Sequence, residues 1–191
     1  MNLNYINDSK IKLVKSQLSP KRFLHTMNVI KIGIELAEIY NENINETFLA
    51  CLFHDYAKEW SNEALIEYSM VNQLNIDQLH YKYPYLLHGP VAAHYCMKKN
   101  YINSRIAKAI AYHTTGNSGL DTLGKIVYLA DAIEIGRTYP NVEYFRKLSK
   151  VNLNEALYEV VTHTITYLEK NNSPIHPNSI KMKHELKEME R

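Results

Sequence analysis

The chain has 191 residues, with 22 Lys plus Arg against 20 Asp plus Glu. That length supports one well-formed core and is short for two. A net charge of +2 leaves no basic footprint for nucleic acid or an anionic membrane surface.

Cys51 and Cys96 lie inside helical apolar patterns and read as reduced core residues, not a disulfide framework. Met1-Asn2-Leu3-Asn4 lacks the basic and apolar regions of a signal peptide, and no apolar run approaches a membrane span. The expectation is a soluble cytoplasmic protein.

Taken in order, Asp8 suits the cap of a short helix through Leu18. Ser19-Pro20 is a helix start, with Ser at the N-cap and Pro at the first helical position, and the helix is predicted to reach about Tyr40. Phe23, Met27, Ile30, Ile34 and Ala37 form one line of helical spacing, and His25, Val29, Ile32, Leu36 and Ile39 a second, so this helix is expected to be buried on two sides. Asn45 is the expected cap of the helix that ends in Phe48-Leu49-Ala50-Cys51-Leu52-Phe53 and delivers His54 and Asp55. Ser61 caps another, to about Leu74. Tyr81 to Tyr85 reads as an aromatic loop. Pro90 suits the first turn of a helix through Met97. Ser104 is the expected cap of Arg105 to His113, which Thr114-Thr115-Gly116 ends. Asp121 caps the stretch through Ile135, with Asp131 between Ala130 and Ala132. Asn152 caps a long helix to Lys170, Asn171-Asn172-Ser173-Pro174 breaks it, and a polar helix closes the chain. No strand alternation, repeat or linker is present. The predicted fold is one all-α domain over 1–191, with its core at about 20–170.

The chemistry lies in where polar groups fall. His54 and Asp55 follow an apolar run, and an ionisable pair buried there is costly unless it is paired or holds a metal. His25, His113 and Asp131 also sit among apolar neighbours, and His88 lies at a helix–loop junction. Imidazole and carboxylate donors without thiolate suit Fe, Mn, Zn or Co. Taken singly, each residue has an ordinary structural reading: an interior His bonded to a carbonyl, an Asp capping or pairing, Lys58 complementing a helix end, Arg137 in a surface pair. His80, His94, His163, His176 and His184 are read in that ordinary way. Tyr81, Tyr83 and Tyr85 are a candidate adenine platform, and Lys98-Lys99 and the basic run at 181–187 read as solvated faces.

A His in an early helix, a His-Asp pair, later histidines and a distant Asp resemble the HD-domain metal phosphohydrolases. Three motifs are similar to the YqeK branch, the symmetrical dinucleoside tetraphosphatases: His54-Asp55-Tyr56-Ala57-Lys58, Tyr112-His113-Thr114-Thr115-Gly116, and Lys125-Ile126-Val127-Tyr128-Leu129-Ala130-Asp131. The resemblance runs from about Pro20 to Lys170. It implies an all-helical fold, bound iron (or Mn, Co or Zn, as one or two ions), and cleavage of diadenosine tetraphosphate to two ADP by water that the metal activates. It implies metal ligation by His25, His54, Asp55 and Asp131, with Lys58, His88, His113, Thr114 and Arg137 facing the phosphates. Lys58 falls on the same side as Asp55 if the helix continues. His88 or His113 then protonates the leaving oxygen or holds a second metal. The segment Ala132-Ile133-Glu134-Ile135-Gly136-Arg137 departs from the branch, which has an aromatic residue after the Asp and a Pro before the Arg. Two other readings stand beside this one: an HD-type nucleotidase or phosphodiesterase acting on another nucleotide, and a non-catalytic metal- or nucleotide-binding module. An apolar helix face could pair two copies as a homodimer.

Overall fold

Helices in this chain start where a short polar side chain can accept the unpaired amides of a first turn. The computed structural model describes residues 8–189. Its helices are α1 (Asp8–Gln17), α2 (Pro20–Ile39), α3 (Ile44–Phe53), α4 (Asn62–Val71), α5 (Gln78–Lys82), α6 (His88–Lys98), α7 (Ser104–Ala111), α8 (Thr122–Ile133), α9 (Val142–Leu148), α10 (Leu153–Lys170) and α11 (Pro177–Met189), with a 3-10 turn at Pro84–Leu87 before α6. No strand occurs among the described residues, and none of their helices is long and apolar enough to cross a membrane. Ser19, Ser61, Asp121 and Asn152 cap α2, α4, α8 and α10 through side-chain oxygens.

Several local expectations are corrected. The cap of α3 is Asn43, not Asn45, and the cap of α7 is Asn103, not Ser104. In each case the capping Asn is extended and accepts the amide three residues on, from Glu46 and Ile106. Tyr81 to Tyr85 is not a loop: it spans the end of α5 and the start of the 3-10 turn. The break falls at Tyr83, with φ −132° and ψ 69°, because Pro84 excludes the helical region for the residue before it. α9 answers to no predicted element. The buried face of α2 is narrower than two full lines. Thr26, Val29, Ile30, Ile32, Gly33, Leu36 and Ala37 are buried, while Met27 and Ile39 are exposed.

α2, α3, α7 and α8 pack on one another, and α10 covers α8 with α11 against it. Phe53, Leu36, Ile110, Ile126 and Leu129 lie fully buried at this centre, each such side chain contributing ~1.5–3 kcal/mol. The α2–α3 approach is close because position 33 has no side chain. A Cβ built on Gly33 would meet Cys51 Sγ at 2.5 Å. Cys51 and Cys96 are free and buried.

One guanidinium ties three element starts. Arg105 on α7 bonds Glu42 just before α3 at 2.8 and 2.9 Å, Glu46 in the first turn of α3 at 2.6 Å, and the α8 cap Asp121 at 2.7 Å.

Gly33→Ala should lower stability by about 1–3 kcal/mol, although Gly to Ala inside a helix ordinarily gains up to ~1 kcal/mol. The double variant Gly33→Ala/Cys51→Ala should recover part of the loss, and thermal unfolding of the three proteins measures both. Arg105→Ala should cost about 1 kcal/mol, discounted because the guanidinium is partly in water. The hydrogen bonds from Arg105 hold the Glu42 carboxyl below its ordinary range. A depressed carboxylate stabilises above its unfolded value and loses that contribution as pH falls through the folded one. The gap between wild type and Arg105→Ala should therefore close as pH falls below about 4.5, the free carboxyl's value, in denaturant titrations.

Candidate active site

Five helix ends and turns bring the candidate residues to one place. His25 lies in the second turn of α2, His54 and Asp55 follow α3, His88 begins α6, His113 and Thr114 follow α7, and Asp131 lies in the last turn of α8. His54, Asp55, His88 and His113 are buried.

The imidazoles are oriented alike. His54, His88 and His113 each donate Nδ1–H to the carbonyl three residues back: Cys51 at 2.7 Å, Tyr85 at 2.6 Å and Ile110 at 2.7 Å. A carbonyl can only accept, so Nδ1 carries the proton and Nε2 presents a lone pair. His25 turns its Nδ1 to Glu134 Oε1 at 3.3 Å, the carboxylate–histidine arrangement that orients a metal-ligating ring.

All four Nε2 atoms then face inward. His25 and His54 approach at 3.3 Å and His88 and His113 at 3.1 Å, nitrogen to nitrogen. Asp131 Oδ1 lies 3.1 Å from His25, Asp55 Oδ2 lies 3.4 Å from His54, and Asp55 Oδ1 lies 3.3 Å from His88 and 3.6 Å from His113. Lone pairs facing lone pairs beside two carboxylates repel unless a proton or cation lies between them. Three overlapping groups could hold a metal: His25, His54 and Asp55; His54, His113 and Asp131; and Asp55, His88 and His113. Asp55 belongs to two of them, so its two oxygens could serve two ions. The N/O donor set fits Fe, Mn, Zn or Co and does not choose among them.

Protons compete with a cation for these nitrogens. Burial pushes the Asp55 carboxyl up, but where protons occupy the imidazoles the charge of His54 and hydrogen bonds from His113, His54 and His88 outweigh it and hold the group well below its ordinary value. Asp131 behaves likewise: burial opposes ionisation, and the His25 bond and His54 overcome it. Burial, with Lys58 and His113 adding to it, pulls His88 down to about 4. It is therefore neutral at physiological pH, the form that ligates or accepts.

Lys58 reaches the site by another route than expected. α3 ends at Phe53, and the chain continues through short turns closed by Tyr56 N–H to Phe53 at 3.1 Å and Lys58 N–H to Asp55 at 2.9 Å. Three-residue turns eclipse positions i and i+3, so Lys58 still shares the side of Asp55. Its Nζ lies 3.2 Å from His88 Nε2. Thr114 Oγ1 touches both His88 at 3.1 Å and His113 at 3.0 Å. Arg137 bonds the Asp131 carboxylate at 2.8 Å.

Three residues at the site were missing from the sequence-derived set. Arg22 Nη1 pairs with Asp55 Oδ2 at 2.9 Å. Glu134 supports His25 and lies 3.7 Å from Arg137. Arg146 of α9 donates to the carbonyls of Ile133, Glu134 and Arg137 at 2.6–2.8 Å, pinning the loop that carries Glu134 and Arg137. Arg22 and Glu134 stand three residues from His25 and Asp131, a helical spacing that places them on the same sides. For Arg146 the sequence offers no signal.

A cavity of about 440 Å³ opens beside His113, Thr114, Asp131 and Arg137 and is also lined by Tyr128, Tyr139, His163 and Tyr167. Tyr139 and His163 stack there with centroids 5.1 Å apart. Tyr81, Tyr83 and Tyr85 lie outside that cavity.

A model of the HD domain matches residues 22–136. The chain is 34% identical to "Bis(5'-nucleosyl)-tetraphosphatase, symmetrical" of Bacillus subtilis (strain 168), covering 90% of this chain and 92% of that protein. It is 35% identical to the protein of the same name from Halalkalibacterium halodurans, covering 89% and 91%. It superposes with TM-score 0.92 and 31% identity on the crystal structure of a predicted HD superfamily hydrolase involved in NAD metabolism from Clostridium acetobutylicum, covering 97% of this chain and 98% of that one. The span matched by the HD domain takes in all of these histidines and aspartates, and the chain belongs to the HD domain family.

Proposed function

We propose that this protein is a metal-dependent hydrolase that splits diadenosine tetraphosphate symmetrically into two ADP. The observation that carries the reading is the meeting of four inward imidazole nitrogens with two carboxylates, ringed by three cationic side chains and opening on a cavity of nucleoside size. About 440 Å³ falls in the ~300–1,000 Å³ range of small-molecule sites. The relatives' names supply the substrate, and Cys51 and Cys96, both free and buried, suit a reducing cytoplasm.

His25, His54, Asp55 and Asp131 are assigned to one ion, taken to be iron, and Asp55, His88 and His113 form a group able to hold another. When bound, such an ion screens phosphate charge and lowers the pKa of water to about 7. The protein's own groups do the rest. Lys58 offers a point charge, and Arg137 and Arg22 offer planar forks that match phosphate oxygens. Substrate phosphates draw these cations off Asp55, Asp131 and His88, which then serve the ion. Tyr139 and His163 give a base a flat surface. Water adds to an inner phosphorus, the bridging P–O bond breaks, and one ADP leaves while the other carries the new oxygen. Where no second ion occupies their Nε2 atoms, His88 or His113 is placed to carry the proton to the leaving oxygen.

Iron-loaded protein should turn one diadenosine tetraphosphate into two ADP, read by chromatography. Asp55→Ala should lower the rate by more than about 10³-fold, the scale of removing a whole electrostatic stabiliser; full activity in that variant would refute the assignment. Equal rates across many mononucleotides would instead favour the broader nucleotidase reading. Arg22→Ala and Lys58→Ala should each raise KM about 10- to 100-fold, the worth of a charge-assisted hydrogen bond, with metal content unchanged by elemental analysis. Glu134→Gln should weaken metal retention or activity about 10- to 100-fold, although its carboxyl touches no inward Nε2.

A further inference from the structure

A second histidine–carboxylate group lies outside the site just described, where the sequence suggested only ordinary structural residues. Asp77, His80 and His176 place one donor atom each within 4.8 Å of one another. Asp77 caps α5: its Oδ1 accepts the amides of Leu79 at 2.9 Å and His80 at 3.1 Å and lies 2.8 Å from His80 Nδ1. Its other oxygen, Oδ2, stands 3.8 Å from His176 Nε2. His80 is 7% exposed and His176 9%. His176 Nε2 is buried with no hydrogen-bond partner, and a buried polar atom left unpaired is costly. The two rings meet edge to face at 5.3 Å. They line a cavity of about 560 Å³.

We propose that Asp77, His80 and His176 form a second binding site for a divalent transition metal of the zinc class, which clips the start of α11 to α5. Ligands about 2.0–2.1 Å from a tetrahedral ion stand roughly 3.3 Å apart. His80 Nδ1 lies 2.8 Å from Asp77 Oδ1 and His176 Nε2 lies 3.8 Å from Asp77 Oδ2, so a turn of the carboxylate and small ring shifts bring one oxygen and both nitrogens to that spacing. Two imidazoles and a carboxylate are a borderline donor set for such an ion. Three protein ligands leave a position open towards the cavity. His176 Nδ1 accepts the Asn178 amide at 3.1 Å, so in the free ring the proton sits on the unpartnered Nε2. Ligation through Nε2 takes the other neutral tautomer, with that proton moved to Nδ1. It gives up two bonds at helix starts, from the Asn178 amide to His176 Nδ1 and from the Asp77 amide to His80 Nδ1 at 3.3 Å, where both amides can turn to water.

The clip joins both approaches to the first site. α5 leads through the 3-10 turn Pro84–Leu87 directly into His88. On the other side, Ser179 Oγ donates to the Thr115 carbonyl at 2.7 Å, next to Thr114 and His113. An ion at Asp77, His80 and His176 would hold together the two segments that deliver His88 and His113.

The test uses protein whose first site is already loaded with iron. Zn²⁺ alone is titrated in, free metal is removed, and zinc per chain is read by elemental analysis together with the unfolding midpoint. The expected result is one zinc retained per chain and a rise in midpoint of about 3–6 °C. His80→Ala and His176→Ala should each lose both. Asp77→Asn preserves the cap of α5, because Asn caps as well as Asp, and should weaken zinc binding by at least tenfold in a folded protein. His184→Ala, an exposed position on α11, should keep both. No retained zinc in the wild type, or zinc retained equally in His176→Ala and Asp77→Asn, overturns the site.

Discussion

Facing lone pairs set the terms for the rest of this structure. Hydrogen bonds to their own preceding backbone lock three histidines with Nε2 inward, and Glu134 does the same for His25. Nothing in that arrangement is stable without positive charge at its middle. The fold must therefore hold five helix ends at fixed separations while supplying a place for a cation. The close contact of α2 and α3 contributes directly. Gly33 lets Cys51 approach, the Cys51 carbonyl orients His54, and His54 then meets His25 at 3.3 Å. A side chain at position 33 would act on the site through this chain of contacts.

Positive charge is arranged in a second ring. Arg22, Lys58 and Arg137 each rest on a member of the inner cluster. A net charge of +2 over the whole chain conceals this concentration, which matters for a polyanionic ligand because charge–charge interaction strengthens where water is excluded. Positioning comes from further out. Arg146 holds the 133–137 loop by three carbonyls, and Tyr139 OH donates to Ala132 at 2.8 Å. The short helix α9 thus serves the site through Arg146, which holds the loop carrying Glu134 and Arg137.

The periphery repeats the same logic more weakly. His80 and His176 are buried, joined by a capping aspartate, and linked through Ser179 and the 3-10 turn to the segments bearing His113 and His88. Their positions are 96 residues apart in the chain, and α11, which His176 precedes, packs along α10.

What the sequence determined by itself was local. Ser19-Pro20, Asp121 and Asn152 announce their helices because capping chemistry is a short-range matter of one side chain and one amide. The His-Asp pair after an apolar run, and the motifs around His113 and Asp131, were legible because ionisable groups among apolar neighbours require an explanation. Asn45 and Ser104 were expected in place of the true caps Asn43 and Asn103, because a polar neighbour one or two residues away suits a cap equally well and the sequence does not place the first turn. The tertiary structure alone decided which faces of α2 are buried, that Arg22 and Glu134 join the site, that Arg146 pins its loop, and that His80 finds His176. Each of these depends on the distance between elements far apart in sequence. Periodicity reports which side of a helix is apolar but not which partner meets it or how near, and that nearness is set by the packing of the whole chain.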